Sequence, residues 1–133
     1  MAIDYKECKI FEAEELFALF HSVGWLSANY PQRLVRALAG SSTVFSAWDG
    51  DRLVGLINVL DDGELTAYVH YLLVNPEYQG RGIGTHLVSS VKKKYNDYLY
   101  IVLIVERTES IAFYEKLGFE ITNGATPLVV THY

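Results

Sequence analysis

The chain has 133 residues, 50% of them hydrophobic and 20% charged, with a formal net charge of −5. That length and composition describe one folded domain over residues 1–133, large enough to bury roughly two-thirds of the surface its unfolded chain exposes. The acidic balance excludes generic nucleic-acid binding, which needs clustered Lys and Arg, and it leaves any phosphate site dependent on local dipoles. A cationic partner suits it better. With Cys8 as the one cysteine, no internal disulfide is available, and nothing beside it in sequence would activate the thiol, so it reads as a small core residue. Met1-Ala2-Ile3-Asp4-Tyr5 lacks a signal pattern and no apolar run approaches membrane-spanning length, so the expectation is a cytoplasmic protein without a membrane partner.

In chain order, Lys9-Ile10-Phe11 reads as a short first strand. Ala13, Leu16, Phe17 and Phe20 then recur at helical spacing behind an acidic first turn, and Gly24 closes that helix. Residues 25–30 form a loop, and Pro31 suits the first position of a second helix with Leu34, Val35 and Leu38 on one face, ended by Gly40. Thr43–Trp48 and Leu53–Leu60 are strands joined by the hairpin turn Asp49-Gly50-Asp51. A second turn at residues 61–64 leads into a nearly all-apolar strand from Leu65 to Val74, which should be buried on both faces. Pro76 stops it.

Gln79-Gly80-Arg81-Gly82-Ile83-Gly84-Thr85 follows and opens directly into a helix to Tyr95. Closely spaced glycines leave little side chain over the helix entrance, so its unpaired N–H groups and positive dipole end are open to an anion, phosphate above all. Lys92-Lys93-Lys94 complements the other end of that dipole. Tyr98–Val105 is a strongly apolar strand. A strand, helix, strand series of this length is a right-handed crossover, so the two strands should lie parallel. Thr108 or Ser110 can cap a last helix ended by Gly118, and Phe119–Ile121 with Leu128–Thr131 read as a closing strand hairpin. The fold class is α+β, a mixed and mostly antiparallel sheet with helices on both faces.

Gln79 to Gly84 fits the Gln/Arg-x-x-Gly-x-Gly/Ala pyrophosphate signature of the GNAT acetyltransferase superfamily. Leu72-Leu73-Val74-Asn75-Pro76-Glu77-Tyr78 is similar to that family's lead-in strand and turn. Ile111–Phe119 resembles its C-terminal helix motif, and the two motif blocks together cover about a third of the chain. The resemblance implies acetyl-CoA as co-substrate, without a metal, held in a gap where the two parallel strands splay apart. It assigns the pyrophosphate to the amides of Gln79, Gly80, Arg81, Gly82, Ile83, Gly84 and Thr85, with side-chain help from Arg81 and Thr85. Main-chain contacts to pantetheine fall on Leu72, Leu73 and Val74, with an amide near Leu73 or Val74 polarising the thioester carbonyl.

The resemblance also places Tyr114 beside the CoA sulfur. A phenol with pKa about 10 can protonate a departing thiolate of pKa about 8.5. Thr108 stands where the family often has an asparagine contacting pantetheine, and threonine can make only some of those hydrogen bonds. Many members carry a carboxylate on the strand before the glycine loop; this chain has Tyr68-Val69-His70-Tyr71 instead. His70 stands where the arylalkylamine N-acetyltransferase branch has a histidine, and it titrates near neutrality. As the base it stands beside Glu106 and a water. Trp25 and Tyr30 resemble the family's acceptor-binding lid.

The implied activity is direct transfer of an acetyl group to a primary amine, either small or on a peptide. No Cys or Ser sits in a triad-like setting that would favour an acyl-enzyme. Two alternatives differ in class. One is a catalytically weak acyl-CoA-binding sensor, favoured by the missing carboxylate. The other is a dinucleotide-binding oxidoreductase, favoured by Gly80-x-Gly82 after a strand and disfavoured by Thr85 at the third glycine position. Homodimers are frequent in the superfamily, and the C-terminal Thr131-His132-Tyr133 could pack against a second copy.

Overall fold

The computed structural model describes residues 2–132. Met1 and Tyr133 lie outside them, and with Tyr133 the last of the C-terminal residues expected to meet a partner. The chain forms two compact units, 1–103 and 104–133.

The first unit is built on a five-stranded sheet in simple sequential order. Its strands are β1 (Asp4–Glu7), β2 (Thr43–Asp49), β3 (Arg52–Asp61), β4 (Thr66–Val74) and β5 (Tyr100–Leu103). Neighbours run antiparallel except β4 and β5, which are parallel, as a helical crossover requires. Three helices cover it: α1 (Ala13–Ser22), α2 (Pro31–Ala39) and α3 (Ile83–Lys94).

The period-2 alternation of the strands sorts the apolar side chains to two faces. Val44, Trp48 and Leu56 join Leu16, Phe20, Leu34 and Leu38 of α1 and α2 in one buried cluster. The other face meets α3. Thr43 shares a 2.6 Å hydrogen bond with Tyr95, the Lys94 ammonium lies 5.9 Å from the Phe45 ring, and Gly55 leaves room for Ile83. Helices on both faces of a mostly antiparallel sheet is the architecture the sequence implies. Among the described residues no helix is long and apolar enough to cross a membrane.

Four expectations are corrected. The first strand lies at Asp4–Glu7, not at Lys9–Phe11, because the backbone that pairs with β2 is Asp4↔Trp48 through Glu7↔Phe45. Ile10 is exposed, and Phe11 is buried against the Trp48 ring without being in a strand. Second, β4 is not buried on both faces: Ala67, Val69 and Leu73 are buried while His70 is exposed. Third, β5 stops at Leu103, two residues before Val105.

The fourth concerns the second unit. It holds a 3-10 turn (Thr108–Ser110) running into α4 (Ile111–Lys116). Ser110 makes no side-chain cap; its backbone N–H donates to the Arg107 carbonyl at 2.9 Å instead. Gly118, at φ 93°, ends the helix, and the Phe119 N–H folds back to the Tyr114 carbonyl at 3.1 Å. Beyond it, neither Phe119–Ile121 nor Leu128–Thr131 is a strand, and residues 120–132 are exposed. β-branched composition makes a strand only where a partner strand supplies the ladder, and among the described residues none does.

Candidate active site

The centre of the site is a change of pairing partway along β4. Its first half, Thr66 to Val69, pairs with β3 on one edge and with β5 on the other. Pairing with β5 ends at Val69↔Leu103. At the same point the register with β3 slips: Val59 faces Val69 while Asn58 faces Tyr71, so His70 is an extra residue, a β-bulge. Asn58 closes the bulge from within. Its side-chain oxygen accepts the Tyr71 N–H at 2.8 Å, and its amide nitrogen donates to the Ser41 hydroxyl at 3.1 Å. Asn58 and Ser41 are both buried, so this brace is shielded from water.

Past the bulge the backbone direction can be read from two fixed points. The Tyr71 N–H goes to Asn58, and the Asn75 N–H donates to the Val54 carbonyl on β3 at 2.8 Å. Alternate peptides in a strand point to opposite edges. Leu73 therefore also faces β3, and the N–H groups of Leu72 and Val74 face the edge that β5 has left. The Val74 carbonyl on that edge accepts from the Gln79 side chain at 3.0 Å. Of the three residues expected to offer main-chain contacts, Leu72 and Val74 are turned to the gap; Leu73, buried, is turned away.

The bulge also places side chains. Consecutive strand residues normally point apart, yet the His70 and Tyr71 rings stack with centroids 4.0 Å apart, and Tyr68 stacks on His70 at 5.9 Å. Tyr71 meets Phe20 edge-on at 5.0 Å and Trp25 at 5.7 Å. Trp25 and His70 are thus brought onto one aromatic cluster. His70 is exposed as a residue, but partial burial of its imidazole pushes the pKa below its ordinary value, so the ring is neutral at pH 7 and able to accept a proton. Tyr30 closes the short 3-10 turn after Trp25 but is exposed, with the Arg33 guanidinium 5.9 Å from its ring.

The glycine loop follows β4 by way of a 3-10 turn at Pro76–Tyr78, which the Asn75 side chain caps by accepting the Glu77 N–H at 2.9 Å. Gly80 and Gly82 hold φ of 79° and 81°, a left-handed backbone that favours glycine, and Gly82 is the N-cap of α3. A Cβ at either glycine would meet nothing within 4 Å, so these glycines serve backbone conformation and the space beside them is open. No side chain caps α3, and its ladder begins with the His86 N–H to the Gly82 carbonyl at 3.0 Å. The amides of Ile83, Gly84 and Thr85 precede that ladder, where an anion is favoured. Ile83 itself is buried, so only its backbone can serve a ligand; Gln79, Arg81 and Thr85 are exposed.

Sequence reasoning missed what surrounds Tyr78. Its ring is buried, its hydroxyl donates to the Asp49 carboxylate, and the Arg52 and Arg81 guanidinium carbons lie 5.4 and 5.1 Å from the ring centroid. Asn58 was missed too, although one amide inside the apolar run Leu53–Leu60 was a visible signal.

In the second unit Tyr114 lies on α4, half-buried, with Phe113 edge-on at 5.0 Å and Phe119 at 5.8 Å. Burial raises its pKa, so the phenol keeps its proton at neutral pH. Thr108 and Glu106 are exposed. A separate groove of about 770 Å³ runs between α1 and the ends of β3 and β4, lined in part by Glu14, Glu15, Asp51, Arg52 and Glu77; it includes neither His70 nor the glycines.

A mixed sheet whose one parallel pair parts at a bulge, beside a glycine-capped helix, defines an acyltransferase fold. The sequence profile of the Acetyltransferase (GNAT) family matches residues 10–119, and the chain belongs to that family. It is 28% identical over 120 residues to an uncharacterized N-acetyltransferase ycf52-like protein of Prochlorococcus marinus, an alignment covering 86% of this chain and 66% of the relative. The chain thus spans a little under two thirds of the length of that relative. Among solved structures it resembles a GNAT family acetyltransferase of Streptococcus pneumoniae, with a TM-score of 0.85, 31% identity and 98% of each chain covered. The fold is also that of a PaiA N-acetyltransferase from Thermoplasma acidophilum in complex with coenzyme A, with a TM-score of 0.70, 21% identity and 94% of each chain covered.

Proposed function

We propose that this chain transfers the acetyl group of acetyl-CoA directly to a primary amine. The observation that carries the reading is the adjacency of two sets of backbone donors: the amides opening α3, suited to a diphosphate, and the Leu72 and Val74 N–H groups, turned to the gap at the bulge. The coenzyme A complex of the Thermoplasma relative supports an acyl-CoA as the donor.

In this reading Gln79 to Thr85 hold the pyrophosphate, with Arg81 adding a cation. The Val74 N–H, or that of Leu72, stabilises the negative charge that grows on the thioester oxygen as the amine nitrogen bonds to the carbonyl carbon. The proton lost by the amine goes to His70, directly or through water. An amine of pKa about 10.4 is neutral in only about one molecule per thousand at pH 7, so a nearby base matters. As the carbon–sulfur bond breaks, the electron pair leaves with sulfur and Tyr114 supplies the proton that makes the free thiol. Trp25, on the ring cluster with His70, lines the acceptor side, with Tyr30 near the lid.

The test is acetylation of a panel of small amines and peptides, followed by release of free thiol from acetyl-CoA. At least one acceptor should give turnover. Tyr114→Phe should then lower kcat about a hundredfold while leaving acetyl-CoA affinity close to wild type. Binding of acetyl-CoA with no turnover on any acceptor would instead make the chain a sensor.

A further inference from the structure

The hairpin joining β2 and β3 lies far in sequence from the glycine loop, yet it is bonded to the turn leading into that loop through the side chains of Glu77 and Tyr78. Tyr78 is the last residue of the 3-10 turn leading into the loop, and it is 7% exposed. Its hydroxyl donates to the Asp49 carboxylate at the end of β2, 29 residues away. Arg52, at the start of β3, lies over the Tyr78 ring at 5.4 Å and pairs with Glu77 at 3.1 Å. Arg81, inside the loop, lies 5.1 Å from the same ring centroid. A buried phenol anchored at its oxygen cannot turn, so the ring is a fixed platform for whatever rests on it. A guanidinium on an aromatic face is held there by the ring quadrupole.

We propose that Tyr78, fixed by Asp49, is a positioning residue for anion binding: it holds the Arg81 guanidinium and the entrance of the Gln79–Thr85 loop in the geometry that grips a diphosphate. This rests on the reading that the loop binds the pyrophosphate of an acyl-CoA. The phenol touches no phosphate. It acts through Arg81 and through the backbone that begins one residue after it. The hairpin thereby becomes part of the donor site, and Asp49 matters to it without approaching the ligand.

The role predicts a particular pattern among variants. Tyr78→Phe keeps the ring under both guanidinium groups but releases it from Asp49. Asp49→Ala removes the acceptor and keeps the phenol. Because each breaks the same bond, the two losses should not add. Breaking a hydrogen bond to a carboxylate of this kind corresponds to about tenfold in affinity.

Calorimetric titration of coenzyme A, and separately of pantetheine, which lacks the diphosphate, tests this on the full chain. Wild type should bind coenzyme A, and Arg81→Ala should bind it much more weakly. Tyr78→Phe and Asp49→Ala should each lose about tenfold for coenzyme A, and the double variant no more than either, with pantetheine affinity unchanged throughout. Loss of pantetheine affinity in the same proportion would mean general damage and overturn the proposal. So would single variants that bind coenzyme A like wild type while Arg81→Ala does not. If wild type ignores coenzyme A, or Arg81→Ala binds it normally, the reading of the loop falls first. Should Asp49→Ala prove unfolded, Asp49→Asn, which can still accept from the phenol, should bind within about twofold of wild type; a tenfold loss there would overturn the proposal.

Discussion

The two halves of β4 are one strand under different rules. From Thr66 to Val69 both edges are taken, by β3 and by β5; from His70 to Val74 only β3 remains. The composition barely changes between them, and both are rich in apolar and aromatic residues. What differs is one inserted residue and one buried amide. The bulge at His70 lets β4 keep its pairing with β3 while turning an aromatic and an imidazole to the same side, and it coincides with the end of β5 pairing. An open strand edge is ordinarily a liability, because unpaired N–H and C=O groups attract other strands. In the proposed function the same groups are the donors offered to a thioester oxygen. The stable half fixes the open half in place.

Proline is the sharpest way to separate the halves, since it deletes one N–H. Val74→Pro removes a donor that faces the gap and has no partner in β3, so the chain should stay folded while turnover falls about 10²–10³-fold, the usual loss for one oxyanion donor. Tyr68→Pro, in the doubly paired half, should prevent folding, because there the neighbours on both edges need the ladder. Wild-type kcat in Val74→Pro, measured by thiol release, would remove that amide from the chemistry.

His70 tests the junction itself. Its pKa is depressed by partial burial, so the neutral base is present above a pH lying below the ordinary histidine value of about 6.5 and is lost as pH falls through it. The rate should be level from pH 7 to 8 and decline on the acid side. His70→Gln should lose about a hundredfold at pH 7 and also lose that acid limb. A variant that kept the limb would assign it to another group.

Much of this was legible beforehand. The β2–β3 hairpin, the helix spacing, the proline stop and the glycine-opened helix follow from local rules that act within a few residues, and each falls where the pattern places it within two residues or so. The bulge was not legible, because one extra residue has meaning only once the register with β3 is set. Neither was the Asp49–Tyr78 bond, which joins positions 29 apart. The C-terminal runs show the opposite failure. Leu128-Val129-Val130 has strand composition, yet Leu128 is 92% exposed and the segment pairs with nothing among the described residues. Pattern reports what a segment could do with a partner, and the partner is tertiary information.

Asn58 should give a smaller effect than either β4 variant, and one that reads on stability. Asn58→Leu strands the half-buried Tyr71 N–H and deprives Ser41 of one of its partners, which should lower the free energy of unfolding by about 1–3 kcal/mol in urea titration. If the brace holds the bulge, turnover falls with it and the His70 acid limb shifts. A destabilised variant with an unchanged pH profile would mean the bulge keeps its shape without the amide.

The mildest prediction lies at the closed end of the sheet. Tyr95, after α3, donates to Asp61 at 2.7 Å and shares a 2.6 Å bond with Thr43; Asp61 is the β3 residue opposite Ala67 in the closed half of β4. Burial first, then the Asp61 carboxylate, pushes its pKa up to about 12. In the unfolded chain the same phenol titrates near 10. The folded state therefore holds this proton longer, and the stability it contributes is complete below pH 10 and disappears between pH 10 and 12. Ultraviolet titration of the folded protein should show one phenol ionising near 12, and Asp61→Asn should bring it down. That change should leave coenzyme A affinity alone, because the proposed function seats the ligand at the open half. An affinity that moved with Asp61 would mean that the closed half takes part in binding and is not only the support for the open half.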